Sequence, residues 1–284
     1  MARSTTTKRH EEPLFIIEPG RKELRYWGDV WSYRDLFIIL AWRDIAVRYK
    51  QTVLGVAWAM IRPLLTVLIF TVVFGKIAKL PAPGTIPYPL LVLAGMLPWF
   101  LFSSILSDAA NSLLANANLV SKVYFPRILI PASSGAVALV DLAINIAIFF
   151  LIAFYYGFWP NWQIVVLPGF IVLAALVSFG PALLIVAFNV KYRDFRYIIP
   201  FLVQLGLYMS PVGFSSDIIP DKWRFWYSLN PLVGIIDGFR WCLLGGESQI
   251  YLPGFLISIA TSGIFLWLGI SYFRHAEKTF ADLI

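Results

Sequence analysis

The sequence predicts an all-α polytopic membrane protein. It should have six transmembrane helices, an N-terminal cytoplasmic interfacial helix and a short re-entrant outer-face segment between spans five and six. Three observations lead there. Hydrophobic residues make up 59% of the chain and charged residues only 14%, against about 25% charged in soluble domains, and mean hydropathy is +0.75. Six stretches (53–75, 88–109, 130–156, 164–188, 197–214 and 252–273) reach or approach the roughly 20 apolar residues that a spanning helix needs. Lysine and arginine also sort by side. Residues 1–62 hold 11 of them, and the 110–129 loop, the 189–196 loop and the C-terminus hold 2, 3 and 2 more. The opposite side keeps Lys76, Lys79, Lys222, Arg224 and Arg240. An even number of spans puts both termini together, and the positive-inside bias puts them in the cytoplasm.

Residues 1–31 form a polar tail with Arg3, Lys8, Arg9, Arg21, Lys22 and Arg25, and show no cleavable signal-peptide pattern. Residues 32–52 read as the interfacial helix. Ser32 followed by Asp35 is an N-cap pattern, and Arg43, Asp44, Arg48 and Lys50 punctuate Leu36, Leu40, Trp42, Ile45 and Val47. That mixture is too charged to span a bilayer and too apolar to float, so it suits an interface, although its apolar stripe is not cleanly one-sided. After Thr52 the charges stop, and the chain enters the six-helix domain, 53–284, through Gly55, Trp58 and the kink-forming Pro63. The second span can continue as a more polar helix through 107–118. The third begins with Ser133, Ser134, Gly135, Ala136 and Ala138, small residues that allow close helix packing.

The segment from about 215 to 251 departs from a simple span count. A polar loop is followed by a mostly apolar stretch of 14 residues from Leu232 to Gly245, short for a span and apolar for a loop, which predicts a re-entrant or interfacial helix. Tyr208, Phe214, Trp223, Phe225, Trp226, Tyr227, Phe239 and Trp241 crowd this region. An aromatic belt at the membrane interface explains them, and so does a lining that stacks on sugar rings. Charges within spans are few: Arg62, Asp108, Asp141 and, in the short helix, Asp237. Such residues usually face a bundle interior or a cavity. Asp141, with Asn145 one turn later, is the position an ion-coupled carrier would use, while structural pairing accounts for all four.

Several chemistries are excluded. One cysteine, Cys242, and two histidines, His10 and His275, leave no disulfide framework and no metal or catalytic cluster. There is no GxxxxGK[ST] phosphate loop, since Gly245-Gly246 leads into Glu247, and there is no GxSxG or HExxH. Asp217 and Asp221 share a loop without a histidine. The sequence therefore predicts no catalytic, cofactor-binding or metal residues. The net charge of +7 is accounted for by sidedness and calls for no nucleic acid.

Three segments on the basic side have more character than connectors need. In chain order the distinctive residues are Arg43-Asp44, Arg48-Tyr49, Leu54-Gly55-x-x-Trp58 and Pro63, then Asn116-Ala117-Asn118-Leu119 and Lys122-Val123-Tyr124-Phe125-Pro126-Arg127. They continue with Tyr192-Arg193-Asp194-x-Arg196-Tyr197, Ser210-Pro211-Val212 and Leu229-Asn230-Pro231. Phe273-Arg274-x-x-Glu277-Lys278-x-Phe280-Ala281-Asp282 closes the set. As an ordered set, from about Tyr33 to Ile284, the chain resembles the permease subunit of ABC transporters that export polysaccharides: the O-antigen, capsule and teichoic-acid exporters. Thr52 stands where that family's pattern has serine, and Arg62 precedes Pro63 where a neutral polar residue is common.

The resemblance implies a subunit of the bacterial cytoplasmic membrane that pairs with a second copy of itself and with two separate ATP-binding-cassette ATPase subunits. ATP and magnesium would sit on those partners, leaving no cofactor in this chain. The substrate it implies is a lipid-linked polysaccharide, on a polyprenyl diphosphate, with membrane lipid around the subunit. It makes the interfacial helix and the 119–128 turn the levers that receive ATPase movement, through Arg43, Asp44, Arg48 and Tyr49 in the first and Lys122, Tyr124, Phe125 and Arg127 in the second. The polymer path would run between two copies, lined by spans one, two and five. Trp58, Trp99, Phe100, Phe102 and Tyr208 are expected to offer ring faces there, because aromatic faces hold a sliding polymer without a fixed hydrogen-bond register. An exporter of a drug or lipid, an integral membrane glycosyltransferase or ligase, and an ion-coupled carrier are the alternatives.

Overall fold

The computed structural model describes residues 23–50, 55–192 and 194–280, and the described residues are helical with no strand. Numbered along the chain, the helices begin with α1 Glu23–Ser32, α2 Arg34–Lys50, α3 Gly55–Phe70, α4 Tyr88–Ala115, α5 Ala117–Lys122 and α6 Leu129–Tyr155. They continue with α7 Leu167–Lys191, α8 Phe195–Met209, α9 Asp221–Tyr227, α10 Pro231–Leu243 and α11 Leu252–Glu277. A π-helical stretch, Thr71–Ile77, extends α3, and a 3₁₀ turn, Trp162–Val166, leads into α7. Five helices are long and apolar enough to cross a membrane: Ala59–Ile77, Tyr88–Ala115, Leu129–Tyr155, Trp162–Lys191 and Leu252–Glu277. The fold is an all-α polytopic membrane bundle. One end, reached at Tyr33, α5, Lys191 and the end of α11, collects most of the described basic residues and is called the basic end below. The other carries α9 and α10.

Helix formation begins earlier than the N-cap pattern predicts. The chain is already helical from Glu23, the first described residue, and Ser32 does not cap, because its hydroxyl donates back to the Gly28 carbonyl at 2.9 Å. The bend between α1 and α2 falls at Tyr33, which still donates to Asp29 and accepts from Phe37.

The core is built on α4. Leu90 through Trp99 are all buried, as expected for a helix that is apolar on every side. It is covered by α6, α7 and α10, with α3 and α8 adding smaller contacts. Helices α7 and α11 meet backbone to backbone. A Cβ on Gly180 would lie 2.6 Å from both Leu266 N and Phe265 C, and one on Gly269 would run into the Gly180 carbonyl. Small residues permit this approach, which supplies packing where burial from lipid supplies little.

The expected fifth span, 197–214, is shorter than its sequence suggests. Helix α8 has 15 residues, about 22 Å of helix against a hydrocarbon core of about 30 Å. It stops because Pro211 biases Ser210 toward extended backbone, seen at φ −104° and ψ 150°. Residues 210–213 then run non-helically and buried. Buried backbone without helical partners needs other donors, and Arg240 on α10 supplies them. Its side chain is 0% exposed. Nη1 donates to Phe214 O at 2.9 Å, Nη2 to Val212 O at 3.0 Å and Nε to Leu91 O of α4 at 3.4 Å. Gly95 leaves the room, since a Cβ there would sit 2.7 Å from Nη2. Asp237, one turn earlier, lies 4.0 Å from Nη1 and accepts from the Ser216 hydroxyl at 2.7 Å.

The 14-residue apolar stretch is thus mostly α10, and α10 is a core element. All but two of its 13 residues are buried, against α4, α7 and α11. Asn230 caps it by accepting from Leu232 N at 3.1 Å, with Pro231 pre-set for the first turn. Arg240, which the sequence places among the outer-face charges, lies inside the protein.

Replacing Arg240 by Ala would leave two to three buried carbonyls unpaired and the buried Asp237 carboxylate without its neighbouring cation, a loss of about 3 kcal/mol or more. Arg240→Ala is expected to melt at clearly lower temperature in detergent than wild type, with Arg240→Lys between them. An unchanged melting curve for Arg240→Ala would show that the 210–214 segment is held by something else.

Candidate functional site

At the basic end, α2 is apolar on two faces. One face carries Tyr33, Leu36, Phe37, Leu40 and Ala41 at helical spacing, partly or fully buried, and leans on α6. Another carries Ile38, Ile39, Trp42 and Val47, all exposed. Charged residues fill the seams, which is why no single stripe stands out in the sequence. The outward face suits lipid or a partner. Tyr33 Oη reaches Tyr124 O at 3.5 Å near the foot of α6, and Tyr49 reaches Asp141, well inside α6. From Leu129 to Asp141 the axis rises about 18 Å, while α2 covers about 24 Å from Tyr33 to Tyr49. The helix therefore climbs alongside α6 instead of crossing it at one point.

The top of α2 is pinned by charge. Arg48 bridges two helices, with Nη1 at 3.0 Å from Asp108 Oδ2 on α4 and Nη2 at 2.9 Å from Asp141 Oδ2 on α6. Tyr49 donates to Asp141 Oδ1, and Ser104 to Asp108 Oδ2 at 3.0 Å. Burial and the Asp141 carboxylate raise the Tyr49 phenol above its ordinary range, so it remains a donor. Arg43 is exposed and pairs at 2.7 Å with the half-buried Asp44.

A second cluster lies lower. Glu277, near the end of α11, accepts from Arg127 N at 2.6 Å and from Tyr26 Oη at 3.0 Å. Arg127 Nη1 donates to the Glu277 backbone carbonyl. Arg274 lies over the Tyr26 ring, 4.6 Å from its centroid. Burial, then Glu277, pushes the Tyr26 phenol upward, so it too stays protonated. Phe273 and Phe280, both buried, seat the end of α11 with their rings edge to face. In the turn between α5 and α6, Phe125 is buried, Arg127 is half-buried, and Lys122, Val123 and Tyr124 are exposed.

The residues expected to contact an ATPase therefore divide in two. Arg43, Lys122 and Tyr124 are exposed, with Asp44 half-buried and paired to Arg43, whereas Arg48, Tyr49, Phe125 and Arg127 are engaged within the chain. The partners of this second group, Asp108, Asp141, Tyr26 and Glu277, had no assigned role in the lever expectation. Glu277 appears in the C-terminal motif without a partner, and nothing local in the sequence joins it to Tyr26.

Of the residues expected along a polymer path, Trp99 is buried on α4, its ring against Gly206 of α8, where a Cβ would sit 2.8 Å away. Phe102 lies 5.6 Å from it, ring to ring, and Phe100 and Phe102 are half-buried. Tyr208 is exposed, on an α8 stripe with Tyr197, Phe201, Gln204 and Leu205. The side chain of Trp58 lies outside the described residues. Arg62 on α3 is exposed, and its guanidinium has no partner among the described residues. An arginine and a glutamine on open faces of apolar helices are costly against lipid. Among the described residues no group of three or more acidic, histidine or cysteine side chains could hold a metal.

The Arg48 bridge is testable by a double-mutant cycle. Arg48→Ala and Asp141→Asn should each lower the melting temperature, and the double variant should lose less than their sum. A coupling of about 1 kcal/mol is expected, since Arg48 is 43% exposed and partly screened. Zero coupling would mean that the apolar stripe alone holds α2.

Comparison with known proteins follows the same outline. The ABC-2 type transporter family model matches residues 35–244. The O-antigen export system permease protein RfbA of Klebsiella pneumoniae is 27% identical over 260 residues, 88% of this chain and 95% of that protein. The Myxococcus xanthus protein of the same name is 25% identical over 263 residues, 92% of this chain and 100% of the relative. The polysialic acid transport protein KpsM of Escherichia coli is 25% identical over 247 residues, 83% and 91% of the two chains. The family match runs from the foot of α2 to the end of α10 and takes in both the Arg48 bridge and the Arg240 grip, and on it the chain belongs to the ABC-2 type transporter family.

Proposed function

We propose that the chain is the membrane-spanning permease half of an ATP-driven exporter that moves a lipid-linked polysaccharide across the bacterial cytoplasmic membrane. The observation that carries this is the near full-length likeness to permeases named for O-antigen export and polysialic acid transport. ATP is hydrolysed by a separate ATP-binding-cassette subunit. The absence of a phosphate loop from the sequence agrees with that division of labour.

The basic end faces the cytoplasm, by the positive-inside bias, and both termini lie there. Two ATPase subunits engage two copies of this chain. Lys122 and Tyr124, exposed on the turn before α6, and the Arg43–Asp44 pair on α2 are the contact groups. Arg48, Tyr49, Phe125 and Arg127 serve the same coupling from within, by fixing α2 and the turn to the spans. ATP binding shifts the open–closed balance only through contacts that differ between the two states. Those contacts must sit where the chain is both exposed and rigidly backed, and the turn satisfies both conditions.

The path lies between the two copies, along the open faces of α3 and α8. Tyr208 and Phe201 offer rings, and Gln204 a hydrogen-bonding amide, on the α8 stripe. Trp99 backs that stripe through Gly206. Arg62, set about 10 Å into α3, offers a charge to the diphosphate of the lipid carrier.

The test is reconstitution with the ATPase encoded nearest to this chain, in nanodiscs, with a lipid-linked glycan extract. A stable complex whose ATP turnover rises with the glycan is expected. Lys122→Ala combined with Tyr124→Ala should lower that rise about tenfold, equivalent to roughly 1.4 kcal/mol of lever contact. Stimulation by lipid or drug alone, with none by glycan, would move the reading to a lipid or drug exporter. Glycan consumed by the isolated chain would replace it with an enzyme.

A further inference from the structure

The two cytoplasmic levers of the proposed exporter come from distant parts of the chain, α2, which α1 leads into, and the 119–128 turn. Between them lies the end of α11, which the export reading does not use. There one carboxylate serves both sides. Glu277 takes the Tyr26 hydroxyl of α1 at 3.0 Å on Oε2 and the Arg127 amide of the turn at 2.6 Å on Oε1. The Arg127 guanidinium closes a second bond to the Glu277 carbonyl. Arg274, one turn earlier on α11, covers the Tyr26 ring. Phe125 and Phe280 are buried at this end of the bundle, so the tie rests on a packed base.

We propose that Glu277 is a positioning residue that binds α1 and the 123–128 turn to the end of α11, so that the two levers move as one body. This rests on the export reading only for the word lever; the tie itself is a property of this chain. Three features argue for it. The two oxygens of the carboxylate are divided between two elements, so neither can leave without unpairing a half-buried acceptor. The bonds come from a backbone amide and a phenol that stays protonated, and the Glu277 carboxylate accepts both. The helix that supplies Glu277 is itself held to α7 through the Gly180–Gly269 backbone contact. A push received at Tyr124 or on α2 thus reaches α6 and α11 together.

The experiment has two arms. In the first, the full chain alone in lipid nanodiscs is followed by amide hydrogen exchange. Glu277→Ala is expected to speed exchange by about tenfold in both 23–32 and 123–128, with α10 unchanged; faster exchange in one segment only, or in neither, overturns the proposal. Should Glu277→Ala loosen the whole bundle, Tyr26→Phe decides instead. That variant removes one hydroxyl and should still speed exchange in both segments, and an effect confined to α1 rejects the shared tie. In the second arm the complex with its ATPase is assayed for glycan moved per ATP hydrolysed. Glu277→Ala should lower this ratio severalfold and Glu277→Gln, which keeps one acceptor oxygen, should recover much of it; a merely structural role would lower transport and hydrolysis in proportion and leave the ratio intact. Because the first arm needs no ATPase, joint loosening in a chain that binds no ATPase would keep the tie and discard the exporter.

Discussion

A single buried guanidinium sets the terms for the rest of this fold. The chain leaves α8 at Met209 with the crossing incomplete, and the next residues run through the protein without a helical ladder. Their carbonyls have no water to turn to, and Arg240 answers two of them while also holding Leu91 of α4. The cost of burying an arginine is offset only if its donors are well used, and here all three nitrogens donate. Gly95 has no side chain because the guanidinium occupies that space. The cap by Asn230 fixes where α10 starts and hence where Arg240 points, and the same Asn230 donates to Ser210 Oγ at 3.0 Å. Ser210-Pro211-Val212 and Leu229-Asn230-Pro231, two motifs far apart in the chain, are the two halves of one joint.

The basic end follows a different rule. Its charges serve sidedness in the sequence, yet half of the singled-out residues are engaged inward. Arg48 sits between two aspartates, so the cost of carboxylates near the spans is shared by one cation on a neighbouring helix. That arrangement also accounts for Asp141 without ion coupling: its two oxygens are taken by Arg48 and Tyr49. Two apolar faces on α2 let it pack on α6 while presenting Trp42 and its neighbours outward, which a helix with one stripe could not do.

The legible part of the structure was the part set by local composition. Five long spans follow from apolar length alone, whereas the expected span 197–214 runs past Pro211, and α8 in fact ends before it. The buried role of α10 was half legible: the mostly apolar stretch of 14 residues was too short for a span, and Arg240 disguised it as a surface element. What stayed hidden depends on contacts between distant residues. Arg240 meets a carbonyl 149 positions away, Arg48 an aspartate 60 positions away, and Tyr26 a carboxylate 251 positions away. No periodicity or spacing encodes such pairs. The ordered motifs did mark one member of two of these pairs, Arg48 and Glu277, without saying which way either would point.

These ties bear on where the molecule can change shape. Packed interiors do not deform continuously; they shift as bodies. Helices α4, α6, α7, α10 and α11 are joined by the Arg240 grip, the Gly180–Gly269 contact and the Glu277 cluster, and α2 is locked to them by Arg48. Helices α3 and α8 stand apart. They bury little of their apolar surface, and each has a proline in its interior, Pro63 and Pro200. The π-helical stretch at Thr71–Ile77 further disturbs the hydrogen-bond ladder of α3. Among the long helices, bending these two breaks the fewest contacts. They also carry Arg62 and Gln204, the polar groups on open faces. A force received at the basic end would therefore be passed through a stiff core and expressed at α3 and α8, beside the surface along which a polymer would run.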